Sequence, residues 1–203
     1  MNKDFDRKQG IGGSDATKLY NGEWHTLWLE KTGDAEPVDL SDVLPVQMGV
    51  HTEPFNIQCF EKQTGLKVTG RQETIFHKDY PHMYAHGDGL ILGDDKALVE
   101  CKHTNAFTNS KKQADKYKAQ IQHYLMVTGY SKLYFSAFYG NMKWEALEIT
   151  ADAEFQEQLL NAEILFWHFV QTKKEPPEHI GFDNFNQKEF SDGRTIIPIL
   201  SRA

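Results

Sequence analysis

The 203-residue sequence predicts an α+β fold, an α/β sandwich whose sheet is flanked by helices. Three observations carry that prediction. Apolar residues recur at helical spacing in several stretches, short alternating segments lie between them, and glycine or proline marks most of the boundaries.

Taken in order, Gly10-Ile11-Gly12-Gly13-Ser14-Asp15-Ala16 is a glycine turn running into a helix, with Ser14 or Asp15 near its cap. Such a start leaves backbone N–H groups free for an anion. Over 23–31, Trp24, Leu27, Trp28 and Lys31 repeat at helical spacing, and Gly33 stops the run. Both tryptophans read as core residues rather than as an interface. After a loop with Pro37 and Pro45, residues 46–64 form a helix that gathers Val50, Ile57, Phe60 and Glu61, ends at Gly65 and is kinked or cut short by Pro54. Strands over 74–77, 84–92 and 97–103 follow as a meander. A helix over 112–128 presents Ala114, Tyr117, Ile121, Tyr124 and Thr128, with Gln120 on the same face and Gly129 as terminator. Strands over 132–139 and 142–150 meet at Gly140-Asn141. A last helix from 153 to about 173 carries Phe155, Leu159, Ala162, Leu165, Phe166 and Phe169 and is closed by Pro176-Pro177.

Composition narrows the class. With 39% hydrophobic and 25% charged residues, the chain suits one domain over 1–203, its core at about 7–175 and an unassigned tail at 176–203. It shows neither a membrane span nor a signal peptide, so a cytoplasmic location is expected. Cys59 and Cys101 are too few for a four-cysteine metal site and read as small core residues. A net charge of −7 argues against a protein that coats nucleic acid nonspecifically, but not against a nuclease, which needs positive potential only along its groove. Lys102, Lys111, Lys112, Lys116 and Lys118 crowd one stretch.

That stretch follows an acidic hairpin, His86-Gly87-Asp88-Gly89-Leu90-Ile91-Leu92, a turn over 93–96, and Ala97-Leu98-Val99-Glu100-Cys101-Lys102. Strand alternation puts Glu100 and Lys102 on one face and Cys101 on the other. Two carboxylates and one ammonium are what metal-assisted phosphodiester hydrolysis requires. A symmetric four-residue turn would set Asp88 opposite Cys101, and a bulge would bring it to the face of Glu100.

With Arg7 seven residues ahead of Ser14, Glu53 in Gly49-Val50-His51-Thr52-Glu53, Asp88-Gly89, Glu100-Cys101-Lys102 and Ala119-Gln120-Ile121-Gln122 in that order, the sequence closely resembles the phage lambda exonuclease and YqaJ-like viral recombinase family of the PD-(D/E)xK nucleases. The resemblance spans about 7–173. It departs from the pattern at His86-Gly87, where relatives have a proline before the aspartate, and at His103 after the lysine.

The resemblance implies a restriction-endonuclease-like core and a 5′-to-3′ exonuclease that degrades one strand of linear double-stranded DNA in phage-type recombination, acting in a bacterial host's cytoplasm. In that reading Asp88, Glu100 and the Cys101 carbonyl hold Mg²⁺, or Mn²⁺ in its place. Glu53 helps a second ion, Lys102 handles the attacking water with Gln120 orienting, and Arg7 with Ser14 binds the 5′-phosphate. It further implies a homotrimer and a single-strand annealing partner. A site-specific endonuclease on the same fold is the alternative, and a catalytically silent DNA-binding domain is the rival from another class.

Overall fold

The computed structural model describes residues 6–93 and 95–184. After a short turn of 3₁₀-helix at Arg7–Gln9 come helices α1 (Gly13–Tyr20), α2 (Trp24–Thr32) and α3 (Leu44–Thr64). Strands β1 (Thr74–Phe76), β2 (Tyr84–His86), β3 (Gly89–Ile91) and β4 (Ala97–Thr104) follow. Helices α4 (Ser110–Lys116) and α5 (Lys118–Thr128), strands β5 (Lys132–Tyr139) and β6 (Lys143–Thr150), and helix α6 (Ala153–Thr172) complete the described chain. Gly33, Gly65 and Gly129 end α2, α3 and α5 with φ of 85°, 75° and 68°, the left-handed conformation that stops a helix.

The main sheet has the order β3-β4-β5-β6 and is mixed: β4 and β5 run parallel, while the outer pairs are antiparallel. Parallel neighbours need a crossover, and α4 with α5 supplies it. β4 is therefore central, with α5 over one face and α3 over the other. Leu98, Ile121, Leu125, Leu133 and Phe135 fill the α5 side, and Ile57, Phe60, Val99 and Cys101 fill the α3 side. A third cluster joins α1, α2 and α6 through Leu19, Trp24, Leu27, Leu159, Phe166 and Phe169. Trp24 is buried in it, and Trp28 packs against it and donates from Nε1 to the Phe169 carbonyl at 3.2 Å. Among the described residues no helix is long and apolar enough to cross a membrane.

The structure corrects several details of the sequence reading. The expected strand over 84–92 is broken at Gly87-Asp88: β2 pairs with β1 in a separate two-stranded sheet, and β3 pairs with β4, so no continuous meander forms. The expected helix over 112–128 is divided at Tyr117 into α4 and α5. Helix α3 begins earlier, at Leu44, and continues through Pro54. Its first half stands in solvent, with Val50 63% exposed, so Val50 does not join Ile57 and Phe60 in the core. Cys101 is buried as expected, whereas Cys59 is only half-buried. Asp94 in the expected turn, and the tail beyond Asn184, lie outside the described residues.

A buried pair ties α5 to α6 and to the edge sheet. His123 Nδ1 lies 2.8 Å from Glu163 Oε1, and His123 Nε2 donates to the Tyr84 carbonyl at 2.9 Å, with both side chains fully buried. Burial opposes the imidazolium, but the Glu163 charge and hydrogen bond outweigh it and raise the His123 pKa; burial also raises that of Glu163. The folded pair therefore keeps a proton that the unfolded chain releases near pH 6.5. Its stabilisation is complete below that pH and is lost as pH rises toward the raised imidazole value, at up to about 1.4 kcal/mol per pH unit. Thermal unfolding followed upward from pH 6.5 should show this decline, and Glu163→Gln should flatten it. An unchanged slope in that variant would show that other groups set it.

Candidate functional site

The break in the expected strand builds one half of the site. β3 ends where Gly89 pairs with Val99, so Asp88 falls beside Glu100, without a bulge. The register differs from the expected one because residues 92–96 separate the strands, one more than in a four-residue turn. Asp88 N donates to the Val99 carbonyl at 3.1 Å, and its carboxylate Oδ2 accepts from Cys101 N at 2.7 Å. A side chain thus takes over where the backbone ladder stops. The Cys101 carbonyl shares the strand edge of its N–H, next to Asp88.

On the α5 face of β4, Glu100 is 3% exposed. Its Oε1 accepts from Lys102 Nζ at 2.5 Å and from Gln120 Nε2 at 2.8 Å. Gln120 therefore meets Glu100 directly rather than Lys102. Glu100 Oε2 is buried and has no hydrogen-bond partner among the described residues. Lys102 Nζ also sits 4.7 Å from the Tyr117 ring centroid. Burial pulls the Lys102 pKa down, but Glu100 and Asp88 push it further up, so its ammonium is held above the ordinary lysine range. Asp88 is raised well above the carboxylate range, first by burial and then by the Glu100 charge.

An orphaned, buried carboxylate oxygen beside a second crowded carboxylate is the donor set of a hard-cation site. Among the described residues no three His, Cys, Asp or Glu side chains cluster as ligands. Asp88, Glu100 and the Cys101 carbonyl still suit Mg²⁺, which takes one or two carboxylates and keeps much of its water. Glu53 stands at the rim: half-buried on α3, it accepts from Gln72 Nε2 at 3.5 Å, and its charge adds to the raising of Asp88.

The other half is a cavity of about 180 Å³ lined by Arg7, Ser14, Thr74, His86, Gln120 and Tyr124 together with the glycines at the start of α1. Arg7 Nη2 donates to Ser14 Oγ at 3.0 Å. The Arg7 turn is held to α1 by a buried pair that the sequence did not suggest: Lys31 Nζ donates to Asp15 Oδ2 at 2.7 Å and to the Arg7 carbonyl at 2.8 Å. Asp15 Oδ2 also accepts from Gly12 N at 2.9 Å, capping the helix. His86 Nδ1 lies 3.1 Å from Thr74 Oγ1, and burial lowers its pKa. His103 is not in this cavity; its Nδ1 lies 3.0 Å from Thr52 Oγ1 on the α3 side.

Gln120 belongs to both halves, since it lines the cavity and touches Glu100, and it donates to Tyr124 Oη at 3.1 Å, which donates to the His86 carbonyl at 3.0 Å. Gly13 is what admits it. A Cβ at that position would lie 2.6 Å from Tyr124 Cε1 and 2.7 Å from Gln120 Cγ. Gly13→Ala should therefore displace both side chains and destabilise the fold by about 1–3 kcal/mol, read as a lowered Tm; an unchanged Tm would show that the cavity is slack.

The model of the YqaJ-like viral recombinase domain matches residues 5–131, a stretch containing Arg7, Ser14, Glu53, Asp88, Glu100, Lys102 and Gln120. The Bacillus subtilis protein YqaJ is 37% identical over 175 residues, covering 81% of this chain and 54% of that protein, so the chain spans about half the length of this curated relative. In fold, the chain is similar to an alkaline exonuclease from Laribacter hongkongensis, with a TM-score of 0.65 and 18% identity over 82% of this chain and 90% of that one. A phage-related exonuclease from Haemophilus somnus aligns with a TM-score of 0.61 and 11% identity over 81% and 96% of the two chains. The mixed sheet and its flanking helices are thus a known arrangement, and the chain belongs to the YqaJ-like viral recombinase domain family.

Proposed function

We propose that the chain is a Mg²⁺-dependent 5′-to-3′ exonuclease that degrades one strand of linear double-stranded DNA during recombination. The observation that carries this reading is Gln120, which joins the Arg7–Ser14 cavity to the Glu100–Lys102 centre. An end-directed enzyme needs an anion pocket beside its cutting centre, and an endonuclease has no use for one. The alkaline exonuclease of similar fold has also been solved in complex with dAMP.

Arg7, the Ser14 hydroxyl and the N–H groups at the start of α1 receive the terminal phosphate by charge-assisted hydrogen bonds. Asp88, Glu100 and the Cys101 carbonyl would hold a divalent ion, with Glu53 contributing to a second. Such ions, when bound, supply Lewis-acid stabilisation and an activated water. Lys102, held as a cation by Glu100, orients that water and the phosphate oxygens, and Gln120 keeps Glu100 aimed at the centre. Mn²⁺ suits the same oxygen donors. A trimeric assembly and a single-strand annealing partner belong to the same proposal and rest on the family alone.

End-labelled linear duplex with 5′-phosphate or 5′-hydroxyl ends, incubated with and without Mg²⁺ beside closed circles, tests the reading. Loss of label from 5′-phosphate ends with intact circles is expected. Cutting of circles would favour the site-specific endonuclease, and no cleavage of any substrate would favour a silent DNA-binding domain.

A further inference from the structure

We propose that Asn56 is a positioning residue for the metal centre: its carboxamide fixes where Glu53 stands relative to Asp88 and Glu100. This rests on the nuclease reading and assigns a role to a residue outside its machinery. Asn56 is 1% exposed and lies in the apolar layer between α3 and the sheet, among Ile57, Phe60 and Val99. An amide there needs partners, and it has a full set. Nδ2 donates to the Lys102 carbonyl at 3.1 Å and to the Ser136 carbonyl at 3.0 Å. Oδ1 accepts from Ser136 Oγ at 2.6 Å and from Trp144 Nε1 at 3.0 Å.

Apolar contact is non-directional and lets a helix slide or turn on a sheet, whereas four directed bonds admit one placement. Glu53 is three residues earlier on the same helix and so shares the Asn56 face. One side chain thus ties the helix that carries Glu53 to the backbone of Lys102. Groups one step removed from a metal commonly alter its affinity about 10- to 100-fold.

The test is Mn²⁺ binding to the full chain, followed by paramagnetic resonance, with kcat and KM on linear duplex and thermal unfolding measured in parallel. Asn56→Leu keeps the volume and removes every bond; it should weaken Mn²⁺ binding about tenfold or more and lower kcat, with KM for DNA ends within about twofold. Ser136→Ala removes a buried bond of the same network while sparing both Asn56 donors, so it should lower Tm with Mn²⁺ affinity retained. If Asn56→Leu does not fold, Asn56→Ser, which keeps one donor, should show an intermediate loss of affinity. Wild-type affinity in whichever Asn56 variant folds, or an equal loss in Ser136→Ala, overturns the positioning role alone. A wild-type chain that binds no Mn²⁺ and cuts no DNA overturns the nuclease reading and this role with it.

Discussion

Lys102→Ala should reduce cleavage of linear duplex by about 10²- to 10⁴-fold, the range for loss of a group that acts on the proton or charge of a transition state. The expectation follows from where the ammonium sits. Its Nζ is 2.5 Å from Glu100 Oε1 and over the Tyr117 ring, so it is pinned rather than free to be replaced by another lysine. The variant keeps Asp88, the Cys101 carbonyl and the Arg7 cavity, and Gln120 still donates to Glu100. Binding of DNA ends, measured with Ca²⁺ in place of Mg²⁺, should therefore stay within about twofold. Single-turnover cleavage separates the effects: turnover close to wild type would sink the role given to Lys102.

Arg7→Ala should act on a different quantity. The lost interaction is a charge-assisted hydrogen bond, commonly worth about 1.5–3 kcal/mol, so kcat/KM on 5′-phosphate ends should fall roughly 10- to 100-fold. On 5′-hydroxyl ends there is no terminal charge to lose, and the change should be within about twofold. Discrimination between the two ends is thus the measured signature. An equal loss on both would mean that the Arg7 side chain serves only to hold its turn against α1 through Ser14.

Much of this site could be read along the chain, because its residues come in short local groups. Strand alternation alone puts Glu100 and Lys102 on one face, and Gln120 follows from the spacing of the α5 helix. The Asp88 register was off by one because loop length is not written in residue types. Exposed Leu92 looks like one more strand residue, yet it lies past the end of β3. The break at Gly87-Asp88 was hidden for a related reason: a carboxylate that replaces a ladder partner is indistinguishable in sequence from one in a turn. Asn56 and the His123–Glu163 pair could not be found at all. Their partners lie 46, 80 and 40 residues away, and an asparagine, a histidine or a glutamate inside a helix carries no mark of burial. The exposed first half of α3 shows the converse, since Leu44, Val46, Met48 and Val50 have core composition without core packing.

The bend at Gly87-Asp88 sets a length. His86, on one side of it, lines the cavity proposed for the strand end, and Asp88, on the other, belongs to the centre proposed to cut it. Two residues of backbone reach at most about 7 Å. The stretch of wall between cavity and centre is thus held in covalent bonds, like the fixed bridge of a caliper, while Arg7 and Ser14 face it from other elements. Under the proposed function, this strand sets one side of the spacing between the held end and the bond that is cut.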